Sequence, residues 1–207
     1  MRITSGKYRG LPIKSPPGDR LRPTQDLVRE ALFDILRDKI TDCVFLDLCT
    51  GTGCIGITLK KQLPDLSVTC SDKSKDALHV ARKNSKQNDV EIKLINSDLF
   101  DKVYGKFDMI VSNPPYIKTS DYYNLDNKIL DFEPKMALVA GYDGLSLIKE
   151  IIISAKNKLN TNGHLLIEIG YNQGEHVKKI FEENGYKDIN IYSDYSDFDR
   201  IATARKV

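Results

Sequence analysis

Two short stretches of this 207-residue chain carry residue types that could do chemistry. The first is Asn113-Pro114-Pro115-Tyr116. Consecutive prolines offer no N–H and stiffen the chain, so they cannot extend a strand pairing. That leaves the Asn113 side-chain oxygen and the Pro114 carbonyl as fixed acceptors, with Tyr116 adding a flat aromatic face. A planar –NH2 group can donate to both oxygens while its plane stacks on the ring. Such a nitrogen is a poor nucleophile, because its lone pair is delocalised. Holding it in line with an electrophilic methyl supplies proximity and orientation. The two acceptors then stabilise positive charge as it develops on the nitrogen. The chemistry read from these residues is methylation of a planar nitrogen, with Asn113, Pro114 and Tyr116 as catalytic candidates.

The second stretch is Asp47-Leu48-Cys49-Thr50-Gly51-Thr52-Gly53-Cys54-Ile55-Gly56. Its Gly-x-Gly-x-x-Gly spacing falls between a buried-strand pattern and a helical one, which is the context this motif requires. Glycine lets backbone approach a ligand without a Cβ in the way. In open α/β sheets, ligands bind at the carboxyl ends of the strands. Asp72, at the end of the next apolar run, falls where ribose hydroxyls would lie. Asp98, in Asn96-Ser97-Asp98-Leu99, could accept from an adenine amino group. These features suit a dinucleotide or S-adenosylmethionine equally. An oxidoreductase would also need a hydride-transfer site, for which no residues present themselves, whereas methyl transfer accounts for Asn113–Tyr116.

The elements that must position these loops follow from hydrophobic periodicity. Strands are expected over Val44–Leu48, Leu66–Cys70, Ile92–Ile95, Phe107–Val111, His164–Ile169, Asp188–Tyr192 and Ile201–Ala204. Helices are expected over Cys54–Leu63, Lys75–Gln87, Gly144–Leu159 and Gln173–Asn184. Near-continuous apolar strands alternating with helices imply a mostly parallel sheet covered on both faces. The last two strands have no helix between them and predict a closing antiparallel hairpin. The expected fold is therefore α/β and Rossmann-like, with a seven-stranded sheet. A helix over about 24–39, with Thr24 as N-cap, precedes it.

Composition is ordinary for a globular chain, with 41% hydrophobic and 29% charged residues. No apolar run reaches the roughly 20 residues of a membrane helix, and the first residues do not read as a signal peptide. A cytoplasmic location with no membrane partner is expected. Cys43, Cys49, Cys54 and Cys70 lack the short ligand spacing of a zinc site, so they read as reduced thiols packed as small hydrophobes, and no metal is expected. Net charge is +2 but unevenly spread. Residues 1–22 hold Arg2, Lys7, Arg9, Lys14, Arg20 and Arg22 against Asp19 alone. They read as a basic arm or hairpin in front of a methyltransferase domain over 23–207. Such an arm is either an electrostatic footprint for RNA or a solvated surface.

The body of the chain resembles the catalytic domain of the release-factor glutamine methyltransferases (the HemK or PrmC family). The resemblance spans 43–207 and is carried by Leu46–Gly56, Ile110–Ile117, Phe132-Glu133-Pro134 with Ala137-Leu138, and Glu168–Gly174. It implies S-adenosylmethionine as methyl donor and, as acceptor, the side-chain amide of the Gln in the Gly-Gly-Gln loop of peptide-chain release factors. It further implies that Asn113 and Pro114 hold the amide and that Tyr116 lines its pocket. Asp47, Thr50, Gly51 and Gly53, with Asn113, would border the methionine part of the cofactor. Asp72 would bind the ribose, while Asp98 and Leu99 border the adenine. Pro115, Glu133 and Pro134 would shape the substrate channel.

The front departs from that family, which carries a helical N-terminal domain that nothing here matches. Met1–Gly10 and Arg22–Leu36 instead resemble the start of the RsmD family, which methylates a guanine N2 in 16S ribosomal RNA. The chain thus reads as a mosaic joined near 40–43. Release-factor glutamine is the favoured acceptor because the body owns the catalytic loop. Ribosomal RNA, reached through the basic residues of 1–22, is the alternative. A non-catalytic RNA- or ribosome-binding module that keeps the cofactor site is the third reading. If the carboxylate of Asp72 serves the cofactor, Asp72→Ala weakens S-adenosylmethionine binding in calorimetry; unchanged affinity refutes that role.

Overall fold

Along the first strand, Leu46 and Leu48 point to one side and Phe45 to the other, yet all three are fully buried. Side chains alternate along a strand, so both faces of the sheet must be covered. The computed structural model describes residues 43–193 and 197–207. The arm expected over 1–22 and the helix expected over 24–39 lie outside the described residues. In chain order the elements are β1 (Val44–Leu48), α1 (Cys54–Gln62), β2 (Ser67–Asp72), α2 (Lys75–Gln87), β3 (Lys93–Asn96) and β4 (Phe107–Ser112). Then follow α3 (Thr119–Tyr122), α4 (Asn127–Phe132), a 3-10 turn (Lys135–Ala137), α5 (Ser146–Ala155), β5 (Leu159–Glu168), α6 (Gly174–Glu183), β6 (Lys187–Ser193) and β7 (Asp199–Arg205).

The seven strands lie in the order β3-β2-β1-β4-β5-β7-β6. The first five in sequence pair in parallel. β7 is antiparallel to both β5 and β6. The fold is Rossmann-like, as expected. Chain order reverses between β1 and β4, the switch point at which open α/β sheets form a ligand crevice. One core layer packs Leu46, Leu48, Ile110, Leu165 and Ile167 against Ile148, Ile151 and Ile152 of α5 and Val177 and Phe181 of α6. The other packs Phe45, Val68, Met109, Val111 and Leu166 against Cys54, Ile55 and Leu59 of α1. Each fully buried aliphatic side chain contributes about 1.5–3 kcal/mol relative to exposure.

Two expectations need correction. The helix expected over Gly144–Leu159 is shorter at both ends. Gly144 has φ +73, a left-handed conformation outside a helix. At the other end, Asn157 and Lys158 close turns onto Ser154 and Ala155, and Leu159 opens β5 by pairing with Phe107. β5 therefore starts before His164, hidden in the sequence by the turn-like Asn160-Thr161-Asn162-Gly163. The short helices α3 and α4 and the 3-10 turn were not expected at all, since they are too brief to show a helical apolar stripe.

Gly56 sets the closeness of α1 to the sheet. A Cβ there would press on the Cys70 sulfur and lie 3.1 Å from Val68 Cγ1 and 3.3 Å from Asp47 Oδ2. Gly56→Ala is expected to lower stability by about 1–3 kcal/mol, read as a lower urea midpoint. An unchanged midpoint would show that α1 can retreat freely.

Candidate active site

The ends of β1, β2, β4 and β5 surround one cavity of about 320 Å³, within the size range of small-molecule sites. Its floor is the loop after β1. Cys49 has φ +59 and Gly51 φ +56, which turn the backbone out of the strand. Positive φ strains a non-glycine residue, and Leu99 on the cavity wall carries the same feature at φ +37. A Cβ built on Gly51 meets nothing within 4 Å, so this backbone faces open space.

Three side chains fix that loop from behind. Asp47 Oδ2 accepts from the Thr50 hydroxyl at 2.5 Å and from the Gly56 N–H at 3.0 Å. The N-cap of α1 is Gly53, which has no side chain to offer the first-turn N–H groups; Asp47 supplies an acceptor from the strand instead. Asp72 Oδ2 accepts from the Gly51 N–H at 2.8 Å and its Oδ1 from the Ser74 N–H at 2.8 Å. Asn84, buried on α2, donates to the Thr52 carbonyl at 2.9 Å. Burial outweighs the hydrogen bonds at Asp47 and pushes its carboxyl up to about 7. Burial also raises Asp72, against the lowering effect of the backbone N–H groups of Ser74 and Gly51.

On the opposite wall, Ser112 donates its hydroxyl to the Leu48 carbonyl at 2.9 Å, tying the end of β4 to β1. Asn113, Pro114, Pro115 and Tyr116 follow directly and line the cavity. The Tyr116 hydroxyl donates to Glu168 Oε1 at 3.4 Å. Gln173 Nε2 donates to the carbonyls of Tyr116 at 3.1 Å and Gly144 at 3.2 Å, while its Oε1 accepts from the Gly170 N–H. The end of this loop is thus tied to Gly144 by the buried side-chain amide of Gln173. Beyond it, Ile117 and Val139 form a parallel bridge, so the segment between them arches over the cavity and brings Glu133, Pro134 and Met136 to its wall.

Of the residues singled out from sequence, Thr50, Gly51, Asp72, Asp98, Leu99, Asn113, Pro114, Pro115, Tyr116, Glu133 and Pro134 line this one cavity. Asp47 and Gly53 do not. Asp47 is buried beneath the loop, and Gly53 is the N-cap turn packed near Ile57 and Ala81. Asp98 lies beyond the end of β3 and pairs with Lys73. Sequence reading missed Ser112, Glu168, Asn84 and Gln173, because side-chain-to-backbone bonds across strand ends leave no periodic signal.

The cavity suits an adenosyl donor. Carboxylates and the half-buried Gly51 backbone line it, and the buried hydroxyls of Thr52 and Ser71 on its wall have no hydrogen-bond partner among the described residues. A protein of Lactococcus lactis named release factor glutamine methyltransferase is 38% identical over 183 residues, covering 88% of this chain and 67% of that protein. The chain belongs to the release-factor glutamine methyltransferase family. It is an S-adenosylmethionine-dependent N-methyltransferase. A ribosomal protein uL3 glutamine methyltransferase of Francisella tularensis is 42% identical over 154 residues, covering 73% of this chain and 49% of that protein. Residues 1–140 match the family model described as Conserved hypothetical protein 95, the RsmD family. A solved 16S rRNA N2 methyltransferase of T. thermophilus, RsmC in complex with AdoMet and guanosine, shares the fold, with TM-score 0.65 at 16% identity over 93% of this chain and 45% of that one.

The RsmD likeness therefore runs past residue 40, through the glycine loop and Asn113–Tyr116. The Lactococcus match, at 88% of the chain, extends in turn ahead of residue 43. The two matches overlap over the glycine loop and Asn113–Tyr116. No helix among the described residues is long and apolar enough to cross a membrane, and Cys43, Cys49, Cys54 and Cys70 are all thiols.

The raised Asp47 carboxyl makes stability depend on pH. Between about 4 and 7 the folded protein holds a proton there that the unfolded chain has released, so this contribution is full below that window and is lost as pH rises through 7. Asp47→Asn keeps an acceptor oxygen and cannot ionise. From pH 5 to pH 8 the methyltransferase is expected to lose more stability than Asp47→Asn, by about 3 kcal/mol at most, read as a larger fall in melting temperature. Parallel curves would place the titration elsewhere.

Proposed function

We propose that this methyltransferase modifies the side-chain amide of a protein glutamine, that of the Gly-Gly-Gln loop of peptide-chain release factors. The observation that carries the reading is the Asn113–Tyr116 loop, clamped by Ser112 and Gln173 at the mouth of the cavity. The names of the relatives support the same acceptor chemistry.

Bound S-adenosylmethionine supplies an electrophilic methyl on a sulfonium. In the proposed roles, Asp72 accepts from the ribose; each of its oxygens already takes one N–H and keeps a second lone pair for a hydroxyl. Asp98 and Leu99 border the adenine, and Thr50 and Gly51 the methionine part. Asp47 and Gly53 serve this end by holding the loop. Asn113 and the Pro114 carbonyl accept the two amide hydrogens, orienting the nitrogen and stabilising the charge that develops there. Tyr116 lies against the amide plane. Pro115, Glu133 and Pro134 form the channel through which the glutamine arrives.

A second reading, guanine N2 of small-subunit ribosomal RNA, is favoured by the RsmD-family match over 1–140 and by the basic residues of 1–22. It needs the same clamp, since a guanine amino group is also a planar –NH2. The third reading, a ribosome-binding module without turnover, gives no reason for a clamped loop facing the cavity. Radioactive label from the donor should pass to purified release factor and not to undermethylated small ribosomal subunits. Asn113→Ala should abolish transfer, with donor binding by calorimetry largely intact. Labelled RNA beside unlabelled release factor reverses the order of the two readings.

A further inference from the structure

We propose that the solvent face of α2 holds the phosphate backbone of a nucleic-acid strand. The inference stands apart from the choice of methyl acceptor, since the residues concerned do not line the donor cavity. α2 buries Ala77, Leu78, Ala81, Asn84 and Ser85. Away from them, Lys75, His79, Arg82 and Lys86 are exposed. Their spacing of four, three and four residues makes each the neighbour of the next, in one line along the helix.

None of the four takes part in an ion pair among the described residues; Lys73–Asp98, Lys179–Glu183 and Arg205–Asp188 do not include them. Lysines elsewhere donate to backbone carbonyls, as Lys60, Lys156 and Lys158 do. The acidic residues nearby in sequence lie off the line: Asp76 shares a flank of the helix with Lys83, and Asp89 and Glu91 follow its end. Beyond residue 22 the chain as a whole is net acidic, so this run of cations is not the general character of the surface.

At about 1.5 Å per residue, the line from Lys75 to Lys86 runs about 16 Å. One strand of nucleic acid carries a phosphate roughly every 3.4 Å, so this length faces roughly four or five of them. Evenly stepped cations thus meet evenly stepped anions, a repeat that an acidic protein surface does not offer. Binding of this kind releases counterions, and its affinity falls with salt in proportion to the phosphates neutralised.

The test titrates fluorescent oligouridine and oligothymidine with the whole chain at several salt concentrations, read by anisotropy. The triple variant Lys75→Ala, Arg82→Ala, Lys86→Ala is expected to bind both probes more weakly. The slope of log affinity against log salt should shrink by about two, as loss of three phosphate contacts requires. The basic residues of 1–22 stay in place in every variant, so the difference belongs to α2. A control triple, Lys149→Ala, Lys178→Ala, Lys187→Ala, removes the same charge from exposed positions on other elements and should leave the slope near that of the parent. Calorimetry with S-adenosylhomocysteine should give the α2 variant the parent's affinity, which shows that its fold and donor site are intact. An unchanged slope on either probe, or an equal loss in the control triple, overturns the proposal. So does a parent chain that binds neither probe. Loss of label transfer to release factor with nucleic-acid binding unchanged would assign the line to an acidic protein face instead.

Discussion

The carboxyl of Asp47 is the point on which the site's geometry turns. It lies at the end of β1, on the side that faces α1, and it answers two needs together. The first turn of a helix has N–H groups with no partner inside the helix, and the loop before it must hold a left-handed turn. By accepting from both Thr50 and Gly56, Asp47 joins the strand, the loop and the helix into one unit. A carboxylate sealed from water is costly, and the rise of its proton affinity measures that cost. The glycine floor is consequently set before any ligand arrives, with Asp72 and Asn84 supporting it from β2 and α2.

Most of the fold was legible because buried strands and amphipathic helices have periods that survive in a single sequence. Asn113–Tyr116 was legible for another reason: two prolines and an asparagine directly after an apolar run have few structural purposes. What escaped was of two kinds. The start of β5 was masked by Asn and Gly, residues that signal turns locally but here bend a strand that tertiary pairing with Phe107 keeps in the sheet. That Asp47 lies beneath the loop and not on the cavity wall was hidden, because its position beside the glycines is the same in either case. Gln173 and Glu168 stood in plain view in the sequence, yet their distance from the loop, more than fifty residues along the chain, gave no sign that they meet Tyr116.

The likenesses to protein-glutamine and ribosomal-RNA methyltransferases follow from this division of labour. An amide nitrogen and a guanine amino nitrogen pose the same problem of a delocalised lone pair. In the proposed roles, one clamp and one donor cavity would serve either nitrogen, and discrimination between macromolecules would reside outside the clamp.

The bridge between Ile117 and Val139 bears on that separation. It is reinforced by the Ile117 and Ala140 N–H bonds across it and by Thr119 bonding to Gly141. The arch over the cavity is therefore pinned at both feet close to where they leave the sheet. A segment fastened in this way can be rewritten without disturbing the atoms beneath it, much as a handle can be replaced on an unchanged blade. Side-chain changes within the arch can therefore reshape the wall that Glu133, Pro134 and Met136 supply while both feet stay fastened.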